Sequence, residues 1–353
     1  EMCIRDRPNS MQERFIANLR KILEQGEERA LLISATGTGK TYASAFAMRE
    51  LGFKRVLFLV HRVTLAKQAK KSFEKVFDKK VTMGLVGAGF YEYEKDYVFA
   101  TVETLNRDTH LFQYQPNAFD CIILDEAHHS SNNIYTKVIN YFNPKLFLGM
   151  TATPDKRDDN QEGKNIYEIF HYQIAHEIRL QQAMEDNLLC PFHYFGISEV
   201  VSLDDKTLQA AKLTDEEFNQ LTSDERVRHV IEQSEYYGYS GDRVRGLIFC
   251  SRVKECEELS RKFNALGYRT IALSGADNEE KRQEAFERLA MDEADATEEM
   301  QPLDYIFSRD ILNEGVDIVE VNQVIMLRPT QSPIVFIQQL GRGLRKAPGK
   351  EYV

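Results

Sequence analysis

The feature that most constrains this chain is a series of short apolar runs, each separated from the next by a helical pattern. They are ALLI (30–33), VLFLV (56–60), YVFA (97–100), CIILD (121–125) and LFLGM (146–150), then LIFC (247–250), IAL (271–273), YIF (305–307) and QVIML (323–327). Runs this short, apolar throughout, suit strands covered on both faces. Between them lie segments such as RVTLAKQAKKSFEKVF, where Leu65, Ala69 and Phe73 fall four apart with Val76 and Phe77 beyond. Strand and helix signals in alternation predict βαβ units and a parallel sheet. Two α/β units in tandem are therefore expected, and 353 residues suffice for both. The acid-rich stretch 200–225 carries no strand signal and reads as connector with helical pieces. MDEADATEEM (291–300) reads as an exposed loop.

Composition narrows the class. Hydrophobic residues make up 42% and charged residues 28%, the balance of a soluble globular protein. No apolar run reaches membrane-spanning length, and the first residues lack a signal-peptide core. Five scattered cysteines without a CxxC suggest neither a zinc knuckle nor a disulfide frame, and a reducing cytoplasm is the expectation. A net charge of −10 argues against coating nucleic acid by bulk charge. A local basic track remains open: Lys54 to Lys80 holds nine Lys or Arg against Glu74 and Asp78, although the same run also reads as a solvated helix face. EMCIRDR (1–7) reads as a non-native tail and is set aside, and the closing EYV reads as the opening of a strand, so the second unit is expected to be truncated.

ISATGTGKT (33–41) follows the first run and opens TYASAFAMREL, a helical pattern. Strand, small-residue loop and helix are what a phosphate-binding loop requires. Glycines let backbone N–H groups turn inward, and the helix N-terminus adds partial positive charge. Thr36, Gly37, Thr38 and Gly39 would form the cradle, Lys40 would reach the β- and γ-phosphates, and Thr41 would place its hydroxyl on Mg²⁺. The G-x-x-x-x-G-K-[ST] pattern calls for glycine at position 34, where this chain has Ser34. The competing reading is a Gly-Lys turn in an unrelated loop.

CIILDEAHHS (121–130) ends an apolar run in two carboxylates. Beside a phosphate loop, Asp125 can hold the Mg²⁺ that Thr41 touches, and Glu126 can orient and deprotonate an attacking water. A transition-metal site at His128 and His129 is disfavoured, since neighbouring side chains diverge and neither HExxH spacing nor a cysteine partner is present.

With ATGTGKT and DEAH comes GMTATP (149–154), and the three together resemble the first half of a superfamily 2 helicase or translocase. LIFCSR (247–252), DILNEGVDI (310–318) and QQLGRGLR (338–345) resemble motifs IV, V and VI; VHRVTLAKQ (60–68) and ATVETL (100–105) resemble Ia and Ib. NEGVDI with QQLGRGLR resembles the branch of type III restriction-enzyme translocase subunits and DNA-repair helicases more than DEAD-box RNA helicases. The resemblance implies two RecA-like domains, each a mostly parallel sheet flanked by helices: 8–180, which binds ATP, and 226–353, joined by a connector, 181–225.

It also implies roles. Gly315 and Asp317 would contact nucleotide, Arg342 and Arg345 would be arginine fingers, and Gln338 would face the γ-phosphate. Planar guanidinium suits a transferring phosphoryl group, which supports the arginines independently; alone, their segment would read as a basic surface helix. Gln12 would read adenine, although the family sets this glutamine close behind an Arg-Pro pair and here it stands four residues after Pro8. His128, Thr151 and Thr153 would couple hydrolysis to movement, and Arg62, Thr101, Ser251 and Arg252 would grip nucleic-acid phosphates, DNA rather than RNA. The implied activity is a nucleic-acid-dependent ATPase using ATP and Mg²⁺, with further domains or subunits as partners and no membrane. The rivals are a P-loop phosphotransferase and an ATP-binding scaffold without helicase activity.

Overall fold

The computed structural model describes residues 7–77, 81–129, 133–154, 165–198, 200, 213–309, 311, 318–328 and 333–353. The chain divides into two compact units, 1–183 and 184–353.

In the first unit, strands β1 (Arg29–Ser34), β2 (Val56–Val60), β3 (Met83–Gly87), β4 (Phe90–Tyr91), β5 (Tyr97–Thr101), β6 (Cys121–Leu124), β7 (Leu146–Thr151) and β8 (Ile174–Ile178) form one sheet. Its order is β4-β3-β5-β2-β6-β7-β1-β8. Every pairing is parallel except β3 with β4. Alternate residues of each central strand feed different cores. Ala30, Leu32, Phe58 and Leu148 pack under Phe15, Leu19, Phe46, Met48 and Phe73 from helices Ser10–Glu24, Lys40–Leu51 and Val63–Glu74. Leu31, Ile33, Leu57 and Leu59 pack on the opposite face under Leu105, Tyr114, Val138, Phe142 and Phe170. Cover on both faces is why these strands read as unbroken apolar runs.

The strands not anticipated from the sequence are β3, β4 and β8. β3 contains Gly84 and Gly87, and a Cβ at Gly84 would sit 2.5 Å from Lys95 Cγ, so the residue type follows from close approach. β8, IAHEI, lies at the sheet edge with only Ala175 and Ile178 buried, too little apolar signal to stand out.

In the second unit, β9 (Gly246–Phe249), β10 (Thr270–Leu273), β11 (Tyr305–Ser308) and β12 (Gln323–Met326) pair in the order β10-β11-β9-β12, all parallel. Within the expected connector, a capping box of Thr214 and Glu217 starts helix Asp215–Leu221, and helix Asp224–Tyr237 follows. From Met184 onward the connector belongs to the second unit. Cys190 N–H donates to Leu344 O at 2.7 Å, Val353 N–H to Pro191 O at 3.0 Å, and His193 N–H to Val353 O at 2.8 Å. The His193 ring stacks on Tyr352 at 4.7 Å. The expected loop at 291–300 contains only the short turn Glu293–Asp295 and is largely exposed. Among the described residues no helix is long and apolar enough to cross a membrane.

Candidate nucleotide site

Sheet order sets this site. β6, β7 and β1 are adjacent, with Leu124 level with Gly149 and Ile33 level with Thr151. Their C-terminal ends therefore bring the 35–39 loop, Asp125–Glu126 and Thr151 to one edge of the sheet, where open α/β folds bind ligands.

The loop turns on two glycines in left-handed backbone, Gly37 (φ 91°) and Gly39 (φ 86°). Gly39 precedes helix Lys40–Leu51 without any side-chain cap, so the helix N-terminus presents its amides to whatever the loop holds. Lys40 Nζ donates to Ser34 O at 3.0 Å. Ser34, the departure from the glycine pattern, is buried, and its hydroxyl lies 2.5 Å from that of Thr38. Thr38 Oγ1 in turn donates to Ala35 O at 2.7 Å, which leaves Ser34 as the donor to Thr38. The serine thus ties one side of the loop to the other. Gln12 is buried beside it: a Cβ on Gly39 would lie 3.6 Å from Gln12 Nε2. Gln12 Oε1 is already engaged, accepting the Asn9 N–H in a capping box at 2.9 Å. The amide nitrogen is the end left facing the loop.

Asp125 N–H donates to Leu59 O at 2.9 Å, which extends β6 by one residue along β2. The Asp125 side chain is only half-buried by surface exposure, yet protein crowds it on every side. Burial pushes its carboxyl up to about 6, with Glu126 adding to the rise and Lys40 and His61 opposing it. A carboxylate held at such a cost fits a site completed by a cation, and the donor set of Asp125 and the Thr41 hydroxyl is the oxygen chemistry Mg²⁺ takes. Sequence reasoning missed His61; its signal was its position directly after β2, beside β6.

Glu126 adopts φ 49°, rare for a residue with a side chain and costly to hold. Its N–H donates to Asp125 Oδ1 at 3.1 Å. His128 is buried, and its Nδ1 lies 3.3 Å from Glu126 Oε2 and 3.0 Å from Thr151 Oγ1. Thr153 N–H donates to the same threonine oxygen at 3.1 Å. One ring nitrogen thus faces both the carboxylate after β6 and the hydroxyl at the end of β7.

The remaining candidate residues stand on other elements. Arg62 is exposed at the start of helix Val63–Glu74. Thr101 is buried, and its hydroxyl accepts Thr104 N–H at 3.2 Å, capping helix Val102–Leu105. In the second unit, Ser251 N–H donates to Glu255 Oε2 at 2.9 Å, so the backbone amide expected to meet phosphate is engaged within the unit. Arg342 and Arg345 are half-buried in the turn after helix Pro333–Leu340. Gln338 lies in that helix, with its side chain outside the described residues, as are Gly315 and Asp317.

Residues 5–156 match the family model of the type III restriction enzyme res subunit, a match that begins within the 1–7 stretch expected to be a non-native tail, and residues 226–347 match the helicase conserved C-terminal domain. The putative ATP-dependent helicase IRC3 of Saccharomyces cerevisiae is 25% identical over 351 residues, covering 94% of this chain and 48% of that protein. The type I restriction enzyme EcoAI endonuclease subunit of Escherichia coli is 24% identical over 375 residues, covering 96% of this chain and 44% of that protein. The chain thus spans about half the length of these relatives. The type ISP restriction-modification enzyme LlaBIII bound to DNA superposes with a TM-score of 0.72 at 21% identity, over 98% of this chain and 27% of that one. The chain belongs to the superfamily 2 helicases, with the two helicase domains in order.

Proposed function

We propose that this chain is the ATP-driven motor of a DNA helicase or translocase. The observation that carries the reading is the linked set Lys40, Asp125, Glu126, His128, Thr151 and Thr153 at the ends of three adjacent strands. Bound Mg²⁺ would neutralise phosphate charge in ATP. Thr41 and Asp125 would hold that ion, and Thr36 to Lys40 would hold the phosphates. Gln12 would offer its amide nitrogen to adenine. Glu126 would orient and deprotonate water. Its neighbour His128 would then sense the change in charge and pass it to Thr151 and Thr153, because its Nδ1 cannot donate to both oxygens at once.

Arg342 and Arg345 of the second unit would act on the γ-phosphate held by the first, with Gln338, Gly315 and Asp317 beside them. Nucleic acid would be gripped through Arg62, Thr101, Ser251 and Arg252, at phosphates and without sequence reading. DNA is the favoured substrate, since the restriction-modification enzyme LlaBIII, whose structure superposes on this chain, is bound to DNA. The buried thiols Cys121, Cys190, Cys250 and Cys256 are free, which supports placing the protein in the cytoplasm.

The deciding experiment measures ATP hydrolysis alone and with single-stranded DNA, duplex DNA and RNA. DNA stimulation supports the proposal. Turnover indifferent to every nucleic acid points to a phosphotransferase, and ATP binding without hydrolysis points to a scaffold.

A further inference from the structure

Lys350 lies outside every motif named above, yet its ammonium is held by three backbone carbonyls. Nζ donates to Val319 O at 2.6 Å, Val321 O at 2.9 Å and Gly343 O at 3.0 Å. An ammonium has three N–H donors, and each has an acceptor here. Val319 and Val321 flank Glu320 in the segment that enters β12. Gly343 sits in the turn between Arg342 and Arg345. A Cβ at Gly343 would meet Val353 Cγ1 at 2.7 Å and Val324 Cγ2 at 3.2 Å, so this turn is packed hard against β12 and the 352–353 segment. A single cation therefore binds the arginine-bearing turn to the segment that leads into β12.

We propose that Lys350 is a positioning residue for ATP hydrolysis, aiming Arg342 and Arg345 through the Gly343 carbonyl. This rests on the ATPase reading above. The clamp needs the charged form. A neutral amine offers two donors and a lone pair, so one carbonyl would lose its partner and face repulsion. Burial pulls Lys350 down to about 8; Cys190 and Glu320 act against this, and Arg345 acts with it. The clamp should therefore weaken at mildly alkaline pH.

Stability and turnover should then move in opposite directions. A lysine with a lowered folded-state pKa binds fewer protons when folded than when unfolded, so its contribution to stability rises between about pH 8 and about 10.4. Turnover should fall over the same range as the turn loosens. A merely structural lysine would not separate the two.

The test compares wild-type protein with Lys350→Arg and Lys350→Met, in the full chain, from about pH 6.5 to about pH 9.5. Wild-type kcat should fall on the alkaline side with KM for ATP changing little, while the melting temperature holds or rises. Lys350→Arg, charged throughout, should keep kcat near wild type at neutral pH and lose the alkaline fall. Lys350→Met should lower kcat about tenfold with a small change in KM, as expected for an interaction made in the transition state. The same alkaline profile in wild type and Lys350→Arg would overturn the proposal, and that comparison stands even if Lys350→Met does not fold. If the wild-type protein hydrolyses no ATP with any nucleic acid, the ATPase reading itself fails. The clamp is then read from the melts alone: a wild-type alkaline rise absent from Lys350→Arg retains it, and its absence removes it.

Discussion

Arg226 and Glu255 form an ion pair inside the second unit, their side chains 2% and 0% exposed, with Nη1 to Oε1 at 2.9 Å. Arg226 also donates to Leu221 O at 2.7 Å and Leu327 O at 3.1 Å, and Glu255 accepts the Ser251 N–H. Replacing Arg226 with Met fills much of the volume but leaves the Glu255 carboxylate buried without its cation. Breaking a buried pair from one side costs about 3–5 kcal/mol. For a unit of this size, at about 2–4 °C per kcal/mol, the melting temperature should fall by about 6–20 °C. The pair is not thereby a large net stabiliser, because desolvation offsets most of its attraction. The double variant Arg226→Met with Glu255→Met should therefore cost less than the sum of the singles by about 2–3 kcal/mol. Thermal and urea melts of the three variants measure this cycle. A single Arg226→Met shift under about 3 °C, or strict additivity in the double, would refute the reasoning. Glu255→Gln keeps an acceptor for Ser251 N–H, so any loss of nucleic-acid affinity should be smaller there than in Glu255→Met.

Arg342→Ala should leave ATP binding nearly intact and lower turnover by about 10³-fold or more, as for arginine fingers generally; unchanged turnover removes the finger assignment. Glu126→Gln keeps shape and loses the base, so the variant should bind ATP and nucleic acid together without turnover. Asp125→Asn should instead weaken the response to Mg²⁺, and identical Mg²⁺ titrations for these two variants would collapse the distinction. Because burial raises Asp125 to about 6, the folded protein retains a proton there that the unfolded chain loses above about pH 4. This group's contribution to stability therefore falls as pH rises through that window, and a bound cation should restore it. Mg²⁺ with ATP should raise the melting temperature more at about pH 7.5 than at about pH 5.5, and Asp125→Asn should flatten that difference.

What the sequence disclosed followed from burial on two faces. β1, β2, β5, β6 and β7 are covered above and below, so their apolar runs carried the signal. β3, β4 and β8 occupy the margins of the sheet, where a short, glycine-bearing or half-exposed strand resembles a loop. The loop glycines, Lys40 and the paired carboxylates stood out because the phosphate and magnesium chemistry proposed for them tolerates few alternatives. Lys350 was not, because a lysine that bonds to backbone carbonyls leaves no mark on the residues it holds: any side chain could stand at 319, 321 or 343 so far as the carbonyl is concerned.

The segment GMTAT shows how a recognisable string mixes two kinds of constraint. Thr151 meets His128 and accepts from Thr153, which is chemistry. Gly149 is packing: a Cβ there would lie 2.5 Å from Phe170 Cζ and 2.8 Å from Leu31 Cδ2. Phe170 is almost wholly buried against this strand, and β7 is the strand between the carboxylates of β6 and the loop of β1. A side chain at 149 would push Phe170 off the sheet or shift β7 between its neighbours. The first outcome costs stability, and the second moves Thr151 relative to His128, held at 3.0 Å. The glycine therefore serves the site without touching it, through the flatness it gives the strand on which the threonine stands.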